Sequence, residues 1–203
     1  MIDTCGSSIS QVFHLADFVM YAQKFPCLVG KNMIGQGCFS YVFESGNPNT
    51  VLKLTCDPVF AEFARLKSGQ PGVVKIVHDY GSIESNELGQ VSLFELERLS
   101  HLKKWDHDRL ILERDAVASA ITFKIAASEI DTGMMPCQVA HAMALEEIRK
   151  SQMFSDSVGS ALSAISDYMQ QTELDVLLDL GNPDNYMTDG RSLIITDPLM
   201  LVN

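Results

Sequence analysis

The sequence is short of basic residues and of cysteine motifs, and each shortage argues against a class of protein. Lys and Arg number 15 against 26 Asp and Glu, a formal net charge of −11, so a nucleic-acid or anionic-membrane surface is not expected. The five cysteines are odd in number and form no Cys-x-x-Cys or Cys/His cluster, which argues against a disulfide framework and a zinc site. A reducing cytoplasm fits best, and the oligomeric state stays open.

Long apolar runs and targeting segments are also lacking. No window of about 18 apolar residues occurs, so membrane spanning is not expected. The first stretch, MIDTCGSSIS, carries no basic region of the kind that begins a signal peptide, so secretion by that route is not expected either. The chain does have 203 residues of which 46% are hydrophobic, enough to form a core in one domain or in two small lobes.

The N-terminal part, from residue 18 to about residue 99, has the pattern of short strands separated by Gly, Pro and Asn turns. Enrichment in β-branched and aromatic residues predicts five strands, at 32–34, 40–45, 51–55, 74–80 and 91–96. Between the third and fourth strands, PVFAEFARLKSG predicts a helix with Val59, Phe63 and Leu66 on its apolar face and Gly69 at its C-terminal end.

The C-terminal part changes to helical periods. Segments at 111–130, 137–151 and 157–178 predict three helices, and Ser155 with Asp156 offers an N-cap for the last. A short hairpin is predicted at the end, from NYM, a TDG turn and the apolar run LIITD. The predicted fold class is therefore α+β, an N-terminal antiparallel sheet with one helix followed by a helical part ending in a β-hairpin.

The stretch NMIGQGCFSYVFES places Gly35 and Gly37 between apolar runs. Such a pair fits either an ordinary hairpin turn or a backbone cradle for phosphate, because glycine accepts positive φ and close approach alike. Lys53, in the apolar strand VLKL, supplies the cation that a phosphate would need, with Glu62 of the next helix as its carboxylate partner. The alternative is that Lys53 faces solvent on an edge strand.

Acidic and amide residues gather near the other end of the chain. Asp197 follows the apolar run 193–195, where a strand exit would present a carboxylate to a cleft, as in sites that hold Mg²⁺ on phosphates. A polar turn explains Asp184 and Asp189 equally well but explains Asp197 poorly. The candidate residues of this segment are Asp179, Asn182, Asp184, Asn185, Asp189 and Asp197.

These residues, in this order, resemble the protein-kinase fold, which has a Gly-rich loop, a strand lysine, a catalytic Asp and a metal-binding Asp. More narrowly, MIGQGCFSYVFES, SGQPGVV and NYM…IITDP are similar to the early serine/threonine kinases of T-seven-like short-tailed bacteriophages, over about 33–99 and 179–199. Compact kinases injected by bacterial pathogens are a weaker resemblance. The stretch SLFELERL resembles a kinase hinge. The residues that match the Gly-rich loop are Gly35, Gly37, Ser40 and Val42, and those that match the hinge are Glu95 and Leu96. Lys53 matches the strand lysine, Glu62 its carboxylate partner, Asp179 the catalytic Asp and Asp197 the metal-binding Asp.

The resemblance implies a minimal two-lobe kinase-like domain over 1–203, with an N-lobe at about 18–99 and a reduced C-lobe at about 100–203. It implies transfer of the ATP γ-phosphate to serine or threonine of host proteins in the host cytoplasm, by an early phage protein that modulates host transcription or metabolism. Lys53 would bind the phosphates, Asp179 would accept the hydroxyl proton, and Asn185 with Asp197 would hold Mg²⁺.

The chain departs from the family pattern at several points, so alternatives stay open. Glu62 stands only nine residues after Lys53, and Asp197-Pro198-Leu199 replaces Asp-Phe-Gly. The metal-binding amide is either replaced by Asp184 or kept as Asn185 with one extra loop residue, and the second is preferred. One alternative function is a weak or inactive kinase-like protein that inhibits a host protein, and another is a small-molecule phosphotransferase.

Overall fold

The computed structural model describes residues 20–21, 23–85, 89–132, 138–151 and 153–202. The chain divides into two compact units. The first unit comprises the chain up to Ala61 together with Val77–Glu97, and the second comprises Glu62–Ile76 and Arg98–Asn203. The predicted division into an N-lobe at about 18–99 and a C-lobe at about 100–203 stays a prediction. The predicted start of the first lobe, residue 18, lies outside the described residues.

The first unit is built on a five-stranded sheet with the strand order β1-β2-β3-β5-β4. The pairs β1–β2, β2–β3 and β3–β5 are antiparallel. All five predicted strands are present, and the predicted helix, α1 (Pro58–Lys67), follows the third. The strands are β1 (Met33–Gln36), β2 (Ser40–Glu44), β3 (Thr50–Thr55), β4 (Ile76–Ser85) and β5 (Gly89–Glu97).

One face of this sheet is closed by a hydrophobic core. Alternate residues of β2, β3 and β5 point to the same side, since the side-chain period of a strand is two. An aromatic and aliphatic segment that precedes β1 contributes to the same core, so the sheet is buried on that side without help from α1. The core residues are Tyr21, Phe25, Leu28, Tyr41, Phe43, Leu52, Leu54, Cys56, Val91 and Leu93.

Helix α1 starts where the Asp57 side chain accepts hydrogen bonds from the backbone N–H groups of Val59 (2.9 Å) and Phe60 (3.1 Å). It ends at Lys67, and Gly69 follows with φ +81°, as predicted for a C-terminal glycine. The predicted apolar face was wrong at Leu66, which is 60% exposed.

The second unit is helical, with short strands near its end. The three predicted helices are present as α2 (Asp108–Thr132), α3 (Gln138–Lys150) and α4 (Asp156–Gln171), and Ser155 caps α4 by accepting from the Val158 N–H. The predicted extension of the last helix to residue 178 was wrong. Thr172 adopts an extended conformation, and the apolar residues after it form a strand.

Five short strands carry the candidate site of the second unit. β7 (Val176–Leu178) pairs antiparallel with β10 (Leu199–Leu201). β8 (Tyr186–Thr188) lies between β6 (Ser100–His101) and β9 (Leu193–Ile195), and the β8–β9 hairpin is the predicted one. The predicted α+β class is confirmed. Within the described part of the chain, no helix is both long and apolar enough to span a membrane.

The segment after α1 is anchored to β9 and α4 at Gly72. The Gly72 carbonyl accepts from the Ile195 N–H at 2.8 Å, and Val73 forms a parallel bridge with Ile195. Gly72 has φ +77°, and a β-carbon there would lie 2.2 Å from the Ser157 carbonyl oxygen. Only glycine fits this position, for reasons of both conformation and space.

Candidate active site

The glycines of the β1–β2 hairpin are not required by the hairpin itself. Neither Gly35 nor Gly37 has a positive φ. A β-carbon would come no closer than 3.5 Å to other atoms at Gly35, and at Gly37 it would meet only the Ser40 hydroxyl at 3.3 Å. The Gly37 N–H donates to the Ser40 carbonyl at 2.9 Å, so Ser40, in place of a third glycine, closes the turn. The usual reason for glycine in a turn is therefore absent, which favours the phosphate-cradle hypothesis.

A row of opposed residues crosses the sheet from this hairpin to β5. Gly35 pairs with Val42, Val42 with Lys53, and Lys53 with Phe94. Directly opposed residues of antiparallel strands point to the same face, so the row lines one side of the sheet. This side is opposite the hydrophobic core described above.

Lys53 is half-buried on this row and contacts an aromatic ring of α1. Its Nζ lies 3.4 Å from the centroid of the Phe60 ring, a cation–π geometry, and Phe60 packs edge-to-face on Phe94 with ring centroids 6.0 Å apart. The predicted alternative of a solvent-facing edge lysine does not match this placement, because β3 lies between β2 and β5. The ammonium is thus held on an interior strand, on the same face as Val42.

Two other predicted residues have contacts of their own. Glu62, the predicted partner of Lys53, accepts a hydrogen bond from the Thr172 hydroxyl at 3.4 Å. Glu95 lies within β5, opposite Leu52 on the core side of the sheet, and its carboxylate accepts from the hydroxyls of Thr50 (2.5 Å) and Tyr80 (3.3 Å).

The segment that leaves β5 begins after Glu95 and Leu96, the two residues predicted at the hinge. Leu96 is buried inside β5, which ends at Glu97, so the segment that leaves the strand starts at Arg98. Glu95 and Leu96 therefore belong to the strand before the hinge.

The Asp179–Asn185 loop of the second unit, between β7 and β8, is held by side-chain hydrogen bonds. The Asn185 Nδ2 donates to the Asp179 backbone oxygen at 2.7 Å and to its carboxylate Oδ2 at 2.9 Å. The loop is completed by a 3₁₀ turn, Pro183–Asn185, capped by the Asn182 side chain. Asn185 is buried, so its amide is fixed in this orientation by the fold.

Asp197 lies beside Asp179. The Asp179 N–H donates to the Pro198 carbonyl at 2.8 Å, and the Thr196 N–H donates to the Asn185 carbonyl at 2.8 Å, so the segment around Asp197 is joined to both ends of the loop. Burial raises the pKa of the Asp179 carboxyl above its ordinary value, hydrogen bonds from Asn185 and Asn182 lower it, and the charge of Asp197 raises it. Two carboxylates that repel each other at one site favour a bound cation.

The residues present fit a magnesium ion held with few protein ligands. With Nδ2 engaged by Asp179, the oxygen Oδ1 is the atom of Asn185 that faces away from that bond, and the half-buried Asp197 adds a carboxylate. No group of three or more His, Cys, Asp or Glu side chains suited to a metal occurs among the described residues. Mg²⁺ is usually held by one or two carboxylates together with waters and substrate phosphates, so this donor set suits it.

The two candidates for the amide position differ sharply in environment. Asn185 is buried and bonded to Asp179, whereas the Asp184 side chain is exposed on the 3₁₀ turn. The Asp184 N–H donates to the Asn182 Oδ1 at 3.1 Å, which makes Asp184 part of the turn. The structure brings Asp179, Asn185 and Asp197 together and leaves Asp184 at the surface.

The sequence did not indicate two residues that bind the backbone of β7, the strand directly before Asp179. Gln138 and His141, on α3, accept hydrogen bonds from the N–H groups of Val176 (3.0 Å) and Leu178 (3.2 Å). Their spacing of three on a helix marks a shared face, but nothing in the sequence indicates that this face meets a strand. The isolated histidine carried no metal spacing and therefore no functional signal.

No protein-family model matches the chain, and no curated protein sequence matches it significantly. Among solved structures, the chain is similar to the GDP complex of wild-type aminoglycoside 2′-phosphotransferase-IIIa, with 16% identity, 90% of this chain and 71% of that chain covered, and a TM-score of 0.39. A GDP complex of a point mutant of that enzyme is similar at 15% identity, with 90% and 70% covered and a TM-score of 0.39.

Proposed function

We propose that this protein is an ATP-dependent serine/threonine protein kinase that needs Mg²⁺ and acts on host proteins in the host cytoplasm, as an early bacteriophage protein. The observation that carries the proposal is the Asp179–Asn185 pair with Asp197 beside it. Asp179 directly follows β7, Asn185 directly precedes β8, and Asp197 lies between β9 and β10. A carboxylate held by an amide, next to a second carboxylate, provides a proton acceptor and oxygen ligands for a cation in one place.

Each residue has a role that its contacts allow. Asp179 orients the acceptor hydroxyl and takes its proton, and Asn185 keeps the Asp179 carboxylate in one orientation. Lys53, on an interior strand, binds phosphate oxygens, and the backbone at Gly35 and Gly37 admits close approach because no side chain stands there. A magnesium ion bound to Asn185 and Asp197 would neutralise charge on the transferring phosphoryl group. Positioning and electrostatics supply most of the rate in such reactions.

A labelling experiment tests this directly. Purified protein is incubated with ATP labelled at the γ-phosphate, with Mg²⁺ or EDTA, alone and with a bacterial lysate. Label on protein serine or threonine should require Mg²⁺ and disappear in Asp179→Ala and Lys53→Ala, because general-base loss alone costs roughly 10²–10⁴ in rate. Asp175→Ala, which removes an exposed carboxylate just before β7, is the matched control and should label as the wild type does.

Three other outcomes would replace the proposal. ATP that raises the melting temperature without label transfer would assign a kinase-like binding protein, an alternative that the net charge of −11 also suits. Label in the low-molecular-weight fraction would assign a small-molecule acceptor. Equal labelling by wild type and Asp179→Ala would remove Asp179 from the mechanism.

A further inference from the structure

Strand β7 ends at Leu178, directly before Asp179, and its two edges are bonded in different ways. Toward β10 the bonds come from alternate residues, with the Val202 N–H donating to the Asp175 carbonyl and the Asp179 N–H to the Pro198 carbonyl, both at 2.8 Å. In an antiparallel pair the residues between these point their N–H groups to the opposite edge. The N–H groups of Val176 and Leu178 therefore face away from β10.

No backbone strand supplies those two donors with acceptors, and side chains of α3 do so instead. The Val176 N–H donates to the Gln138 Oε1 at 3.0 Å, and the Leu178 N–H donates to the His141 Nδ1 at 3.2 Å. Helix residues three apart have β-carbons about 5–6 Å apart, and strand residues two apart are separated by about 7 Å. The two spacings match closely enough for one helix face to serve as the partner of one strand edge.

Both acceptors are themselves held in place. The Gln138 Nε2 donates to the Met169 carbonyl of α4, so its amide is oriented with Oε1 toward β7. His141 is buried, and its Nδ1 must be unprotonated to accept from Leu178. A buried N–H without an acceptor is costly, so these two bonds specify where β7 lies.

We propose that Gln138 and His141 are positioning residues for Asp179, acting through the backbone of β7. Leu178 precedes Asp179 directly, so the bond to His141 fixes the peptide that enters the Asp179–Asn185 loop. The inference rests on the proposed function, in which the Asp179 carboxylate must be placed accurately. A displacement of about 1 Å in such a group can lower a rate by roughly a hundredfold.

The test compares three variants of the full chain. His141→Leu keeps the apolar volume but removes the acceptor, and His141→Asn restores an oxygen near the position of Nδ1. Ser166→Ala is the stability control, since it removes a buried α4 to α3 bond, Ser166 Oγ to the Ala142 carbonyl at 3.1 Å, without touching β7. We measure kcat and KM for ATP, the apparent pKa of Asp179 by NMR, and amide hydrogen exchange at Leu178.

We expect His141→Leu to lower kcat roughly tenfold or more with KM for ATP changed less than about twofold, because the ATP contacts are untouched while Asp179 moves. Exchange at Leu178 should rise, the pKa of Asp179 should shift, and His141→Asn should restore all three readouts. Ser166→Ala should lower the melting temperature with kcat unchanged.

The proposal and the proposed function fail in different ways. If His141→Leu behaves like Ser166→Ala, with lower stability but wild-type kcat and an unshifted Asp179, His141 is only structural and the inference is wrong. If the wild type transfers no phosphate, the proposed function fails, and the Asp179 pKa with Leu178 exchange still decides the inference. An unchanged pKa and unchanged exchange in His141→Leu would overturn it.

Discussion

The tip of the β1–β2 hairpin at 37–39 and the Asp179–Asn185 loop are both short connections between strands, but they are held very differently. The hairpin tip is exposed, with Phe39 at 47%, and the Phe39 carbonyl accepts from the Cys56 N–H at 3.0 Å and from the Thr55 hydroxyl at 3.1 Å. In the Asp179–Asn185 loop, the buried Asn185 bonds both the backbone and the carboxylate of Asp179.

The difference teaches which of the two connections is shaped before a ligand arrives. The Asp179–Asn185 loop is preorganised by the two hydrogen bonds that the buried Asn185 side chain donates to Asp179. The hairpin tip has open space around its glycines, so a ligand can approach the backbone closely there. Substitutions in the first should cost activity or stability, and those in the second should cost affinity alone.

The largest effect is expected from Asn185→Ala. The substitution removes both bonds to Asp179 and, under the proposed function, one oxygen ligand of the cation, so the phosphoryl-transfer rate should fall roughly a hundredfold or more. Asp184→Ala, one residue earlier and exposed, should keep a rate within about twofold of the wild type. Steady-state labelling of both variants tests whether Asn185 or Asp184 holds the cation. An equal loss of rate in Asp184→Ala would contradict the assignment to Asn185.

Gly72→Ala should be next, and it acts on stability. A β-carbon 2.2 Å from the Ser157 carbonyl, at a φ of +77°, forces the segment away from Ile195 and α4. The free energy of unfolding should drop by about 3 kcal/mol or more, measured by urea denaturation. Gly159→Ala, on α4 with open space around it, should leave stability unchanged or raise it slightly. Similar curves for the two variants would contradict the described packing at Gly72.

Asp179→Asn should stabilise the protein at neutral pH while removing its activity. Burial raises the pKa of Asp179 in the folded state, so the folded protein binds this proton more tightly than the unfolded chain does. The stability that this group contributes is therefore lost as pH rises from the ordinary carboxyl range through the raised pKa. The melting temperature of the variant should exceed that of the wild type at pH 7, and the difference should vanish near pH 3. A lower melting temperature at pH 7 would show that the charged form is favoured instead.

The smallest effect on stability is expected from Gly37→Ala. The new methyl group would touch only the Ser40 hydroxyl at 3.3 Å, so the free energy of unfolding should stay within about 0.5 kcal/mol of the wild type. ATP affinity, measured by calorimetry, should fall roughly tenfold if phosphate approaches this backbone, since one methyl then blocks a hydrogen bond. Gly46→Ala, in the next hairpin with its nearest atom at 3.8 Å, should change neither quantity. Undiminished ATP affinity would leave the glycines without a ligand-binding role.

The sequence predicted the strands of the first unit well because each is an isolated apolar run bounded by turn residues. It failed at Val176–Leu178, three apolar residues that continue the helical pattern of α4 and become a strand only through partners distant in the chain. Leu66 was placed on the wrong face for a similar reason, since a helix with apolar residues on several sides does not specify which side is covered.

The sequence indicated which residues form the candidate site, but it did not indicate which contacts they make. Asp179, Asn185 and Asp197 stand out in the sequence as carboxylate and amide groups after apolar runs, and the structure gathers them. The choice between Asp184 and Asn185 depended on one residue of loop length, which the 3₁₀ turn at Pro183–Asn185 determines. No sequence pattern indicated Gln138, because its contact is with the backbone N–H of Val176, 38 residues further along the chain.

The side-chain acceptors on β7 have a consequence for how the protein behaves at high concentration. A strand edge with unclaimed N–H groups is a template on which another chain can add a strand, and proteins that leave such edges open tend to aggregate. Between β10 on one side and the Gln138 and His141 side chains on the other, β7 offers no such template. Gln138 and His141, the two residues proposed to position Asp179, thus also prevent another chain from adding a strand at this edge of β7.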